Sequence, residues 1–498
     1  MLDVAGVLRE VGDVSAARKM VEEAYNKETD LRKKQAAASF RTLLANDVDD
    51  KITWLGRSNI EQPSTQADLA AAQGRKASQA GKDDEAANHF RKAIEIYEKM
   101  PVNASTLNNG SLSNFQLFRV TQDKADFTRG MDKLDRAIAL MPTDSILLAN
   151  GSYQVIEGAL IDTVGTAIDF KVMKLTPGWD ALPFLYRGKT ERAALVEKFM
   201  KHPGSVKGRG YAEKLLTLAP KRASSYAAMS GILEQAHDLD GLKGLLARLE
   251  KADLDQGDAA RDFRELISGE TDAKKIEDAK KASARAETAF NAVKGRKDRT
   301  FAYAANRYIH AKIGAATFGV AVDADAMVKL AEEAHAIAES DGTASMLLYT
   351  YLYRAHTTLI KQETEYAKLA TKTKRSLSTW FVYYIIAENG PLKAKVSANA
   401  DVKRLADLAL AEFKADHDEV GPGTFILLRA VDPDAAKPIA EKAKANERLH
   451  VRTKIDRLLA PYSAAAVVSD VWLLRLDGKD DEAKKLLADA VVKGIPLP

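Results

Sequence analysis

The string GKDDEA is written twice, at Gly81–Ala86 and again at Gly478–Ala483. Around the first copy, ADLAAAQGRKASQA (Ala67–Ala80) precedes the turn and EAANHFRKAIEIYEKMP (Glu85–Pro101) follows it. Before the turn, Leu69, Ala70, Gly74 and Ala77 recur at helical spacing, and after it Ala86, Phe90, Ala93, Ile94 and Tyr97 do the same. Gly81 suits the end of the first helix, where a left-handed residue costs a glycine least. Asp83 or Asp84 is expected to cap the second helix, with Glu85 at its positive end. The string therefore predicts a helical hairpin, and its recurrence predicts that hairpins repeat along the chain.

Other stretches fit the same frame. VVSDVWLLRLDGKDDEAKKLLADAVV places Gly478, Ala483, Leu487 and Ala490 at equivalent spacings, and REVGDVSAARKMVEEAY does so with Gly12, Ala17, Val21 and Ala24. DKADFTRGMDKLDRAIALMPTD carries Leu134, Ala137 and Pro142 after a first helix with Phe115, Leu117 and Phe118. A further second helix ends at Pro220, before a hairpin carrying Tyr226, Met229, Leu233, Leu242 and Leu246.

Gly74, Gly81, Ala86, Phe90 and Ala93 stand where small and large residues fall in the tetratricopeptide repeat (TPR), a helical hairpin of roughly 34 residues. The segment resembles that family, although Pro101 arrives three residues later than its usual terminal proline. The resemblance implies an all-α, right-handed α-solenoid of antiparallel hairpins, a TPR-like superhelix whose first helices line a concave groove. From Asp258 to Pro461 helical hairpins are also expected, without a clean repeat signature. The expected organisation is N-terminal hairpins over 1–145, an irregular helical insertion over 146–210, a hairpin region over 211–256, divergent hairpins over 257–462 and a C-terminal hairpin over 463–498. The insertion carries Gly151, Gly158 and Gly165 on one side of a helix, which favours close backbone packing, and then Pro177, Gly178 and Pro183 among aromatics. The chain starts within a first helix and ends at GIPLP without a polar cap, so it reads as a fragment or as having ends that dock on something.

A chain of 498 residues exceeds what one compact core usually serves, which agrees with a repeat array. The 74 basic and 70 acidic residues leave a net charge of +4, too small and too interspersed to mark a nucleic-acid surface. The basic segments Lys201–Gly210 and Lys294–Arg299 are short and lack interleaved aromatics, so nucleic acid is not the expected partner. With no cysteine, disulfides, thiolate-held metals and thiol catalysis are excluded. The longest apolar run, TWFVYYIIA (Thr379–Ala387), is far shorter than the ~20 residues that cross a bilayer. The start carries no export signal. As given the chain suits the cytoplasm, or the periplasm if a leader has been removed.

No catalytic constellation stands out. The eight histidines are scattered and form no HExxH pair. Phosphate-loop, nucleophile-elbow and calcium-loop patterns are missing as well. The expectation is a chain with no catalytic residues, no cofactor and no metal, acting as a protein-protein interaction scaffold or adaptor. The alternative is a regulator that senses a ligand or peptide by changing superhelical pitch. Oligomeric state, including a place in a larger assembly, stays open. The TPR resemblance directs attention to the first helices, where Arg75 and Arg119 recur at equivalent positions with Gln122 nearby. Two stacked arginines are suited to gripping a carboxylate. Chaperone-binding TPRs set Lys and Asn at groove positions that here hold Ala71 and Arg75, so capture of a chaperone tail is not expected. A second candidate surface is aromatic: Tyr349, Tyr353, Trp380 and Tyr384 could anchor a partner or else pack between hairpins.

Overall fold

A computed structural model describes residues 1–164, 169–173, 189–254, 272–316, 318–362, 432–461 and 463–492, with isolated residues at 257 and between 364 and 429. All regular structure in these residues is helical. The chain forms two compact units. Unit 1 is Met1–Thr163 with Phe199–Ile232 and Lys251–Lys274, and unit 2 is Val164–Lys198 with Leu233–Glu250 and Lys275–Pro498.

Unit 1 begins with four short helices, α1 (Leu2–Glu10), α2 (Val14–Lys27), α3 (Leu31–Thr42) and α4 (Val48–Arg57). Five longer ones follow: α5 (Pro63–Gln79), α6 (Asp83–Lys99), α7 (Ala104–Thr121), α8 (Lys124–Leu140) and α9 (Ser145–Val164). From α1 to α8 each helix packs on the next in chain order. That is nearest-neighbour stacking, in which each hairpin buries its apolar face against the one beside it. In the α5/α6 hairpin Gly74 lies under Phe90, Ala77 packs with Ala86, and Asp68 bonds Tyr97. Contact positions rise in one helix as they fall in the other, the signature of antiparallel pairing. Ala77, Phe90, Leu117 and Val120 share one cluster, which joins this hairpin to α7.

Both copies of the repeated string, and its N-terminal relative, make one turn. Gly81, Gly478 and Gly12 have φ of 74°, 74° and 86°, where a Cβ would be strained. In each, the next residue's N–H reaches back to close the helix: Lys82 to Ala77 O at 3.0 Å, Lys479 to Leu474 O at 2.8 Å and Asp13 to Leu8 O at 2.8 Å. This is the Schellman closure of a helix end. The expected cap differs. α6 starts at Asp83 itself, so Asp83 and Asp84 lie in its first turn, where their charges favour the helix N-terminus without either being the N-cap residue. Asp13 does cap α2, accepting from the Ala16 N–H at 3.0 Å.

Ser145–Val164, within the segment set apart as an insertion, is one continuous helix. After it come α10 (Phe170–Met173) and α11 (Lys189–Lys201) in or at the edge of unit 2, then α12 (Pro203–Leu218) back in unit 1. α12 is the antiparallel partner of α9. Gly151 faces the Tyr211 ring, Gly208 faces Ile156, and Gly204 faces Val155 and Ala159. Gly158 meets the Phe127 ring of α8, so a methyl there would collide with it. Gly151 and Gly158 thus give the close packing their spacing implied; Gly165 lies outside the described residues. α13 (Ala223–Gln235) follows.

In unit 2, α14 (Leu239–Leu249), α15 (Asp272–Asn291), α16 (Arg299–Ala316), α17 (Ala324–Ile337) and α18 (Asp341–Gln362) precede α19 (Pro433–Ala445), α20 (Glu447–Leu459), α21 (Ala464–Leu476) and α22 (Asp480–Val492). α16, α17 and α18 pack in order, and α16 also touches α18 directly. Their core holds Ile309, Ile313, Ala331, Leu352 and Leu359 and extends to Ile439 and Trp472. The fold class is the one expected, an all-α solenoid-type array of antiparallel helical hairpins.

Candidate functional site

α7 is a largely enclosed helix of unit 1. Leu107, Asn108, Ser111, Asn114, Phe115, Leu117 and Phe118 are buried. Between Leu107 and Val120 the positions left partly open, Asn109, Leu112, Gln116 and Arg119, follow one another at three- and four-residue steps along a single stripe. α5 flanks it on one side and α9 on the other.

A hydrogen-bond chain runs across these helices. The Asn150 amide donates to Asn108 Oδ1 at 3.1 Å, and the Asn108 amide donates to Asn109 Oδ1 at 3.2 Å. Asn109 in turn bonds the Tyr97 hydroxyl, which donates to Asp68 Oδ1 at 2.5 Å. Each donor sharpens the next in such a series. The chain ends on a carboxylate, and burial, then the Asp68 charge and bond, push the Tyr97 hydroxyl far above the usual phenol range.

Arg75 lies beside the end of this chain on α5, half-buried, and Lys51 of α4 stands close enough for the two charges to interact. Burial lowers the pKa of both; Arg75 lowers Lys51 further, while Asp68 partly offsets the effect on each. Arg119 is placed differently. It forms an ion pair with Glu157 of α9, a carboxylate only 5% exposed. The arginines of α5 and α7 therefore do not grip one carboxylate between them. Gln122 is exposed and closes α7 in the left-handed conformation, with φ 59°. Sequence reasoning missed Lys51, Asp68, Asn108, Asn109 and Glu157. Their one visible signal is polarity at positions of α4, α5, α7 and α9 where periodicity expects a half-buried face.

Nearby, two ion-pair groups tie α8 and the α7–α8 turn to α9 and α12. Lys124 and His202 contact Asp162 at 2.7 and 3.2 Å and hold its pKa below the usual value although burial opposes them. Asp135 takes both Lys207 and the Tyr211 hydroxyl.

In unit 2, Tyr349 of α18 stacks on His310 of α16, with ring centroids 5.9 Å apart. Part of His310 is open to solvent, but protein crowds the rest of its ring. That crowding, then the charge of Arg307, lowers its pKa to about 4. Burial, then Tyr353, raises the Tyr349 hydroxyl to about 12. Tyr353 itself is 6% exposed within the hydrophobic core. Trp380 and Tyr384 lie outside the described residues. In the basic segment near α16, Arg296 pairs with Asp298 at 2.6 Å and Arg299 with Glu191 at 2.6 Å.

Among the described residues no group of three or more acidic or histidine side chains could hold a metal ion, and no helix is long and apolar enough to cross a membrane.

No family model matches the chain, and no curated protein does. Solved structures that align with it include a human IFIT1 dimer with m7Gppp-AAAA, with TM-score 0.23 and 10% identity, covering 97% of this chain and 95% of that one. A monomeric IFIT1 mutant with the same ligand gives TM-score 0.21 and 10% identity, covering 97% of this chain and 94% of that one. A Rap protein complexed with competence and sporulation factor gives TM-score 0.18 and 14% identity, covering 85% of this chain and all of that one. Scores this low carry no argument about fold or ligand. The fold assignment rests on the helix pairing described above.

Proposed function

We propose that the chain is a non-catalytic scaffold or adaptor that binds a partner protein or peptide on the face formed by α5, α7 and α9. The carrying observation is the open stripe of α7. Its amides and Leu112 offer donors, acceptors and an apolar contact at regular spacing, on a helix otherwise sealed into the core. Such a stripe suits the main chain of a bound segment, whose own donors and acceptors need partners once water leaves.

Two of the eight histidines sit at helix ends. Thr343 and His335 come within 3.0 Å of each other, but Thr343 is fully buried at the start of α18 and also accepts from the Ser340 N–H. His202 accepts from the Gly204 N–H at the start of α12. Both arrangements finish helix ends.

The test is a crosslinked pulldown with the full chain and with Leu112→Ala/Gln116→Ala. The proposal expects a specific partner retained by the native chain and lost by the double variant while the thermal melt is preserved. Retention of no partner by the native chain would overturn it. A melt that shifts with a metabolite while no protein is retained would favour a ligand-sensing regulator instead.

A further inference from the structure

Lys51 and Arg75 differ from the cations around them. Lys76, next to Arg75, reaches Asp49 on α4 at 2.7 Å. Lys133 finds Glu98 at 2.7 Å, Lys124 finds Asp162, and Arg119 finds Glu157. Among the described residues the side chains of Lys51 and Arg75 make no hydrogen bond and no ion pair. Their nitrogens are not sealed from solvent, yet both side chains are half-buried. The one acid whose charge both feel, Asp68, is the terminal acceptor of the amide–tyrosine chain. Partial burial of two like charges this close is unfavourable unless something offsets it.

We propose that Lys51 and Arg75 form a subsite for an oxyanion carried by the bound segment, most simply the carboxylate of an acidic residue or chain terminus. This rests on the scaffold reading above and assigns it an electrostatic anchor. The Arg75 guanidinium supplies a planar fork that takes two oxygens, and Lys51 supplies a compact second charge. Asp68, held by Tyr97, sets a limit on how much negative charge the subsite accepts. Arg119, already paired with Glu157, is not part of it.

The test uses the full chain, Lys51→Gln and Arg75→Gln. Thermal melts are recorded at constant ionic strength as chloride is replaced by succinate or by inorganic phosphate. Both anions stabilise proteins generally, so the readout is the difference between native and variant chains. The expected result is a saturable rise in Tm for the native chain that both variants lack. In chloride alone the variants are expected to melt at or above the native temperature, because removing one charge relieves both burial and repulsion. A larger response to succinate than to phosphate assigns a carboxylate, and the reverse assigns a phosphate group. Variants that keep the full oxyanion response, or that melt lower in chloride, overturn the subsite.

A second arm measures anisotropy of a fluorescein-labelled acidic peptide, with the expectation that each variant weakens binding by about tenfold or more. Unchanged peptide binding in both variants sinks the subsite and leaves the scaffold standing. A variant-sensitive succinate response with no peptide bound sinks the scaffold and leaves the subsite standing.

Discussion

Unit 1 and unit 2 are both stacks of helices, but they close their interfaces by different means. In unit 1 the same device appears three times: a glycine lies under a phenylalanine ring, Gly74 under Phe90, Gly130 under Phe115 and Gly158 under Phe127. Shape decides there, because each ring occupies the volume a side chain would need. In unit 2, α16 packs through Ala302, Ala304 and Ala305, and the helices are trimmed with polar groups. Tyr351 donates to Glu332 at 2.5 Å, Thr343 ties Ser340 to His335, and His356 is 3% exposed. One unit should be sensitive first to side-chain volume, the other to protonation.

The largest expected effect is in unit 1. Phe90→Ala removes a fully buried ring that both covers Gly74 and touches α7, and should cost about 3–5 kcal/mol in urea unfolding followed by helical circular dichroism. A loss below about 1 kcal/mol would mean the interface collapses to refill the space.

Acid should act on unit 2. Burial holds His356 at about 4, below its ordinary 6.5, so the unfolded chain binds the proton more readily. Its contribution is complete above pH 6.5 and lost as pH falls toward 4, amounting to about 3 kcal/mol across that window. His356→Gln should flatten this acid limb in urea midpoints measured between pH 7 and 4. An equally steep limb in the variant would assign the loss to other groups.

Gly158→Ala returns the comparison to shape. A methyl against the Phe127 ring should destabilise by about 1–3 kcal/mol, although alanine is the better helix former. Gly244 in α14 has nothing within 4 Å of a built Cβ, and the same change there should stabilise by about 0.5–1 kcal/mol. Thermal melts of the two variants that moved in the same direction would break the contrast.

A last effect, comparable to that of Gly158, has the opposite pH sign. Burial, then Glu234, raises Asp456 to about 6 from 3.8, while Arg452 partly offsets them. The folded carboxyl holds its proton more tightly than the unfolded one, so Asp456 costs stability at pH 7, and the cost fades as pH falls through 6 toward 3.8. Allowing for solvent screening, Asp456→Asn should gain about 1–2 kcal/mol at pH 7 and little near pH 4. A pH-independent gain would point to packing instead.

Much of the repeat frame was legible because its determinants are local. Gly81, Gly478 and Gly12 announce a left-handed helix end by residue type alone, and the spacing of Ala86, Phe90, Ala93 and Tyr97 placed the helix that became α6. The pairing of α9 with α12 was not legible, since α10 and α11 intervene and nothing in the spacing says that Gly151 will meet Tyr211.

The candidate site divides along the same line. Arg75 and Arg119 could be picked out as first-helix residues, because position within a hairpin follows from periodicity. Their difference could not. Arg119 has an ion pair because Glu157 stands opposite it on the next first helix, whereas Arg75 feels the charge of Asp68 without pairing with it, and Asp68 accepts from Tyr97. By itself the sequence determined the helices, their turns and the repeat. Only the tertiary structure decided which charges are matched and which are left over, because a helix sets the face on which a side chain stands but not what the neighbouring helix presents to it.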